Sequence, residues 1–137
     1  MSNMVETDID TGDLELGMCE YEDGVINFSG ADVLLRGTIL ARDSSTLKFR
    51  IFVVGGSTNE NGIPKAVLAH DLEALASGDL PCRAIVAGEL NRDRLIIDAD
   101  GDASNLTAAV RDKLRDYKIT ATKVGQLDGA IFTDEDS

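Results

Sequence analysis

From Val25 onward, apolar and polar positions alternate in short runs of strand period. In "VINFSG", Ile26 and Phe28 alternate with Asn27 and Ser29, and the run closes at Gly30. "DVLLRGTILAR" carries Val33, Leu34 and Leu35 before Arg36-Gly37 and Thr38, Ile39 and Leu40 after it. A glycine inside such a run predicts a bulge or a turn. In "TLKFRIFVV", the alternation predicts one face made of Leu47, Phe49, Ile51 and Val53, with Lys48 and Arg50 on the other. Arg42 to Ser45 supplies the turn between these two runs.

"GGSTNENGIP", Gly55 to Pro64, is punctuated as a loop by Gly-Gly, Asn-Gly and Pro. "KAVLA" and "CRAIVAGELN" predict two further strands joined by "HDLEALASGDLP". "RLIID", Arg94 to Asp98, predicts another after a turn at Asn91 to Asp93. The period then changes. In "SNLTAAVRDKLRDYKI", Leu106, Val110, Leu114 and Tyr117 recur at helical spacing, with Ser104 or Asn105 as candidate cap. "ITATKVG" returns to strand character. The order predicts an α+β, mainly β domain with one amphipathic helix that docks on the core. Its expected bounds are residues 25–127, between an extended acidic N-terminal arm, 1–24, and an acidic C-terminal tail, 128–137.

Charge sharpens the picture of the arm. The chain of 137 residues has a net charge of −12. Residues 1–35 hold nine acids and no Lys or Arg, while the remainder carries only −3. So acidic a chain, without a basic block, is a poor partner for nucleic acid or an anionic membrane surface. Like charges so close together repel, and Val5, Ile9, Leu14, Leu16 and Met18 offer too little apolar area to fold the arm alone. The alternation in "DIDTGDLELGM" nonetheless has strand period, so the arm is expected either to solubilise or to add a strand to a partner's sheet. No secretory signal or apolar run of spanning length is read, so synthesis in a cytoplasm is expected.

Candidate chemistry is sparse. Aromatic residues are 4% of the chain, with no Trp, so the core is expected to be Val, Ile, Leu and Ala. Cys19 and Cys82 are far apart and are expected to be free thiols. His70, the only histidine, precedes Asp71, but neighbours in a strand point to opposite faces, so Asp71 is badly placed to orient it. Cys82 as a nucleophile for His70 has no supporting signature, and a structural or exposed His70 is preferred. The Gly55–Pro64 loop lacks the Lys-Ser/Thr ending of a phosphate-binding loop. Asp98, Asp100 and Asp102 have the spacing of a calcium loop. However, Ala103 stands at its sixth position, where glycine belongs, and Ala109 at its twelfth, where Glu belongs. A polar loop before the helix is the preferred reading, with no metal and no cofactor.

Several segments in fixed order resemble the head decoration protein D family of tailed bacteriophages, the lambda type. They are "INFSGADVLLRGTILAR", the loop followed by "KAVLAHDLEA", "RAIVAGELN" and "LTAAVRDKLRDYKITATKV", which together cover about Val25 to Val124. The chain departs from the family pattern in its acidic arm and tail. It also has Asp116-Tyr117-Lys118 where relatives more often end the helix with Gly.

The resemblance implies a compact β-tulip-like or β-clip-like domain. It implies a homotrimer on local three-fold sites outside the expanded phage head, holding major capsid protein subunits against the pressure of packaged DNA and catalysing no reaction. Its location would be the virion exterior, and its partners the major capsid protein and itself. The family's capsid-pairing arm falls by position on residues 1–24, which makes Val5, Ile9, Leu14 and Leu16 the candidate capsid-binding residues. His70 would then be incidental, in a surface connection between two core strands. The alternative is a small metal- or ligand-binding β-module using Asp98, Asp100 and Asp102.

Overall fold

The computed structural model describes residues 14–28, 32–57, 60–74, 78–98 and 103–123. Its strands are β1 (Glu20–Phe28), β2 (Asp32–Leu34), β3 (Ile39–Arg42), β4 (Phe49–Ile51), β5 (Ala66–Leu68), β6 (Leu72–Ala74), β7 (Gly78–Asn91) and β8 (Ile119–Thr122), with one helix, α1 (Ala108–Asp116), before the last. The sheet order β1-β4-β3-β5-β7 closes on itself because β7 also pairs with β1, giving a five-stranded barrel. All its ladders are antiparallel except β1–β4, a parallel contact at Ile26 and Phe49. β8 adds to β7 in parallel, and β2 and β6 form a separate two-stranded sheet. The chain is therefore mainly β with a single helix among the described residues, as the periodicities predict.

The barrel has two cores because three of its strands are buried on both faces. Alternation sends Leu40, Ala66, Leu68, Cys82 and Ala84 inward, where they meet Ile26, Phe49 and Leu34. The intervening Ile39, Val67 and Ile85 face outward into a second core with Leu14, Leu90, Leu95, Ile97, Val110, Leu114 and Ile119. This is why "AVL" and "AIVA" read as unbroken apolar runs. Each fully buried Val, Ile, Leu or Phe among them contributes on the order of 1.5–3 kcal/mol.

The helix stripe is buried at Leu106, Val110 and Leu114, while Tyr117 lies past the helix end and is 39% exposed. The cap is Thr107, whose hydroxyl accepts from Val110 N–H, rather than Ser104 or Asn105. After Asp116 the chain reverses through Lys118, at φ 70.

Four expectations change. First, residues 14–24 are part of the folded body and not of the arm. Leu14 is buried, Asn91 N–H donates to its carbonyl at 2.7 Å, and β1 begins at Glu20. Second, the long run after Thr46 forms strand only over Phe49–Ile51. Leu47 sits in the β3–β4 turn at φ 62, Val53 leaves the ladder to bond Asn61, and Phe52, on the face opposite to Phe49, is buried in the outer core. Third, Arg92–Arg94 is a 3₁₀ turn capped by Asn91. Leu95 and Ile97 are buried as strand residues would be, but Ile96 and Ile97 make isolated bridges and no strand, Ile96 pairing with Thr38. Fourth, the connection after "KAVLA" contains β6, which pairs with β2. The turn expected at Arg36-Gly37 is present. Gly37 has φ 103, and a Cβ there would lie 2.2 Å from the Arg94 carbonyl oxygen, so only glycine lets these two segments cross.

Candidate functional site

The candidate capsid-binding residues divide. Val5 and Ile9 lie outside the described residues. Leu14 is 2% exposed in the outer core, beside Val110, Leu114 and Ile119, so it is not free to bind a partner; this corrects its assignment. Leu16 is half-buried, and its N–H donates to Glu89 O at 2.9 Å. Together with the isolated antiparallel bridge between Glu15 and Leu90, these bonds tie residues 14–16 to the C-terminal end of β7.

An ionic knot fastens this segment. Glu15 forms an ion pair with Arg36, and its other carboxylate oxygen accepts from the Tyr21 hydroxyl at 2.9 Å. Partial burial, then the bond to Glu15, pushes the Tyr21 phenol up to about 12. Arg36 in turn donates its backbone N–H to Asp71 Oδ1 at 2.8 Å. Sequence reasoning missed this trio. Its one local sign is that Arg36 is the first base in the chain, facing a run of acids.

His70 and Asp71 lie in the bend between β5 and β6, and neither serves the other as a catalytic pair. Arg83 N–H donates to His70 Nε2 at 3.1 Å, so the ring proton sits on Nδ1, 2.9 Å from the Asp71 carbonyl oxygen. The imidazole thus replaces a strand carbonyl where the β5–β7 ladder ends at Leu68 and Ala84. It is a structural acceptor, not an incidental surface group. Cys82 points into the barrel, 7% exposed, and burial followed by the nearby Asp23 charge pushes its thiol up to about 11. Cys19 and Cys82 are both free, as expected.

Of the acidic loop, only Asp98 lies among the described residues; Asp100 and Asp102 do not. Among the described residues, no three His, Cys, Asp or Glu side chains converge to hold a metal, and no helix is long and apolar enough to cross a membrane.

A cleft of about 270 Å³ opens beside β1, β3 and β4, lined by Glu22, Arg42, Phe49, Lys65, Val86 and Tyr117. Arg42 donates to Glu22 at 2.8 Å and lies 5.1 Å from the Phe49 ring centroid. Lys65 lies 5.4 Å from the Tyr117 centroid and pairs with Glu60 at 3.3 Å. Both cations rest on aromatic faces, an arrangement that favours partly desolvated charge. The cleft supplies donors and apolar walls but neither a nucleophile nor an oriented base.

Compared with known proteins, the chain matches no family model and no curated sequence.

Proposed function

We propose that the chain is a capsid decoration protein with a β-tulip-like domain. On this reading it binds as a trimer to the outside of expanded phage heads and cements the major capsid protein without catalysing a reaction. The observation that carries the proposal is the seating of Leu14 to Leu16. Main-chain bonds to Glu89 and Asn91, with the Glu15–Leu90 bridge, tie this segment to the end of β7. That is a suitable origin for an arm that adds a strand to a neighbouring shell, with Val5 and Ile9 as its apolar contacts. The resembling segments support the same reading, since they fall on β1 to β3, on β5 and β6, on β7, and on α1 to β8. Three copies acting together would convert weak individual contacts into high avidity.

The test pellets undecorated heads of the cognate major capsid protein, expanded and unexpanded, with the purified chain. Stoichiometric binding to expanded heads only is expected. A chain lacking residues 1–13 keeps both cores and should bind far more weakly. Equal binding by the truncated chain would remove the arm from the mechanism, and no binding by the full chain would sink the reading. A calcium titration in the same buffers tests the alternative β-module: calcium-dependent stability would favour it.

A further inference from the structure

The Gly55–Pro64 loop contains the chain's one Asn-Gly pair, Asn61-Gly62. Such a pair is chemically labile, because a glycine nitrogen is unhindered and can attack the asparagine side chain. A bond forms between the Gly62 nitrogen and Asn61 Cγ. The side-chain nitrogen leaves as ammonia, taking the Gly62 amide proton. Water then opens the resulting succinimide at either carbonyl. The products are aspartate at position 61 or an isoaspartyl linkage, which routes the main chain through the former side chain. In balance, one amide and one water become one carboxylate and one ammonium.

The fold holds this pair in a conformation that blocks the reaction. Ile63 N–H donates to Glu60 O at 3.1 Å, which makes Asn61 and Gly62 the central residues of a turn. Neither has a positive φ, so the turn is of type I, with ψ at Asn61 of about −30°. Ring closure needs the Gly62 nitrogen eclipsed with Asn61 Cβ, which lies about 90° of rotation from that ψ. The rotation is resisted by the rest of the loop. Asn61 O accepts from Val53 N–H at 2.8 Å, and Gly56 N–H donates to Val53 O at 2.9 Å. The Glu60 carboxylate accepts from Ser44 and pairs with Lys65 at 3.3 Å. Gly62 is buried against Gly56. A Cβ on Gly62 would collide with the Gly56 carbonyl oxygen, and one on Gly56 with Asn61 Oδ1, so the crossing has no room for added atoms. We propose that Asn61 is a deamidation site gated by this loop. It is stable while the loop is closed and reacts when the loop opens, and its isoaspartyl product cannot close again. The extra main-chain methylene falls at the Gly56–Gly62 crossing, and either product adds a carboxylate beside Glu60. Opening followed by reaction is then irreversible, and the lifetime of the closed loop is set by a rate and not by an equilibrium. The proposal rests on this geometry and not on the decoration reading.

The experiment incubates the purified full chain at mildly alkaline pH, in buffer and in urea. Mass spectrometry of the peptide containing Asn61 follows the conversion of amide to acid. Conversion in buffer should be slower by roughly tenfold or more, since only opened molecules react. Glu60→Ala removes the ties to Ser44 and Lys65, and should speed conversion in buffer severalfold while leaving the rate in urea unchanged. Ser44→Ala, an exposed and milder change, should act in the same direction. After return from urea to buffer, isoaspartyl chains should fail to regain the Val53–Asn61 bond, read as fast amide exchange at Val53. Equal rates in buffer and urea would overturn the proposal. So would wild-type rates in buffer for both variants, or a protected Val53 amide in isoaspartyl chains.

Discussion

Phe49 fills the barrel against a residue with no side chain. A Cβ at Gly24 would stand 2.8 Å from Phe49 Cε2 and 3.3 Å from Cδ2. The two strands concerned meet at the Ile26–Phe49 pair that closes the barrel. Gly24→Ala should therefore cost about 1–3 kcal/mol by overpacking. Urea unfolding of Gly24→Ala, Phe49→Leu and the double variant checks this. The double variant should lose less than the sum of the singles, and simple additivity would show that the two residues do not press on each other.

His70→Ala leaves the Arg83 N–H without its acceptor. The site is partly open, so a cost of about 0.5–1.5 kcal/mol is expected, with faster amide exchange at Arg83. His70→Gln, which offers an acceptor oxygen of similar reach, should recover most of the loss. A His70→Ala protein with unchanged Arg83 exchange would return His70 to the status of a bystander.

Tyr21 should titrate near 12. In the fold its neutral phenol is favoured, whereas in the unfolded chain it ionises near the ordinary 10.0. The unfolded state thus releases the proton first. The stabilisation is complete below about pH 10 and is lost as pH rises toward 12. Phenolate absorbance in a Tyr117→Phe background isolates this group. Glu15→Gln should lower the midpoint only in part, since burial is the larger cause. A midpoint at the ordinary value would mean that the Tyr21–Glu15 bond is not formed.

Lys118 ends the helix at φ 70, with its N–H donating to Arg115 O at 3.0 Å. Its side chain is exposed, so nothing is lost by removing it. Lys118→Gly should gain about 0.5–1 kcal/mol, and Lys118→Val should lose stability. Thermal melts of the pair give the order directly, and a glycine variant below wild type would contradict it.

Local period was enough to find the helix stripe at Leu106, Val110 and Leu114 and the apolar strands around Val67 and Ile85. It could not find where the folded body begins. Glu15, Glu22 and Asp23 look like members of a repelling acidic arm, yet their partners are Arg36, Arg42 and Arg83, 20 or more residues away. Leu14 likewise reaches its core through contacts with α1 and β8 that no sequence window contains. The double core defeated the alternation rule at Phe52, because neither face of the chain there is reserved for solvent. Tyr117 left the stripe for a simpler reason: the helix stops at Asp116.

The fastening of residues 14–28 along β7 also determines how the molecule bears load. β1 runs antiparallel to β7 from Glu20 to Phe28, with a register shift between Glu20 and Tyr21, and the Glu15–Leu90 bridge and the main-chain bonds of Leu14 and Leu16 add a second, separate attachment to β7. Tension applied at the N-terminal end and directed along the strand would stretch many of these hydrogen bonds at once, in shear. The same force directed across the strand would peel them one by one, beginning at the Leu14–Asn91 bond and the Glu15–Arg36 pair. The barrel is thus mechanically anisotropic, strong to a lengthwise pull and weak to a sideways one. A pulling experiment from residue 1 should register a rupture force that depends on where the opposite handle is attached.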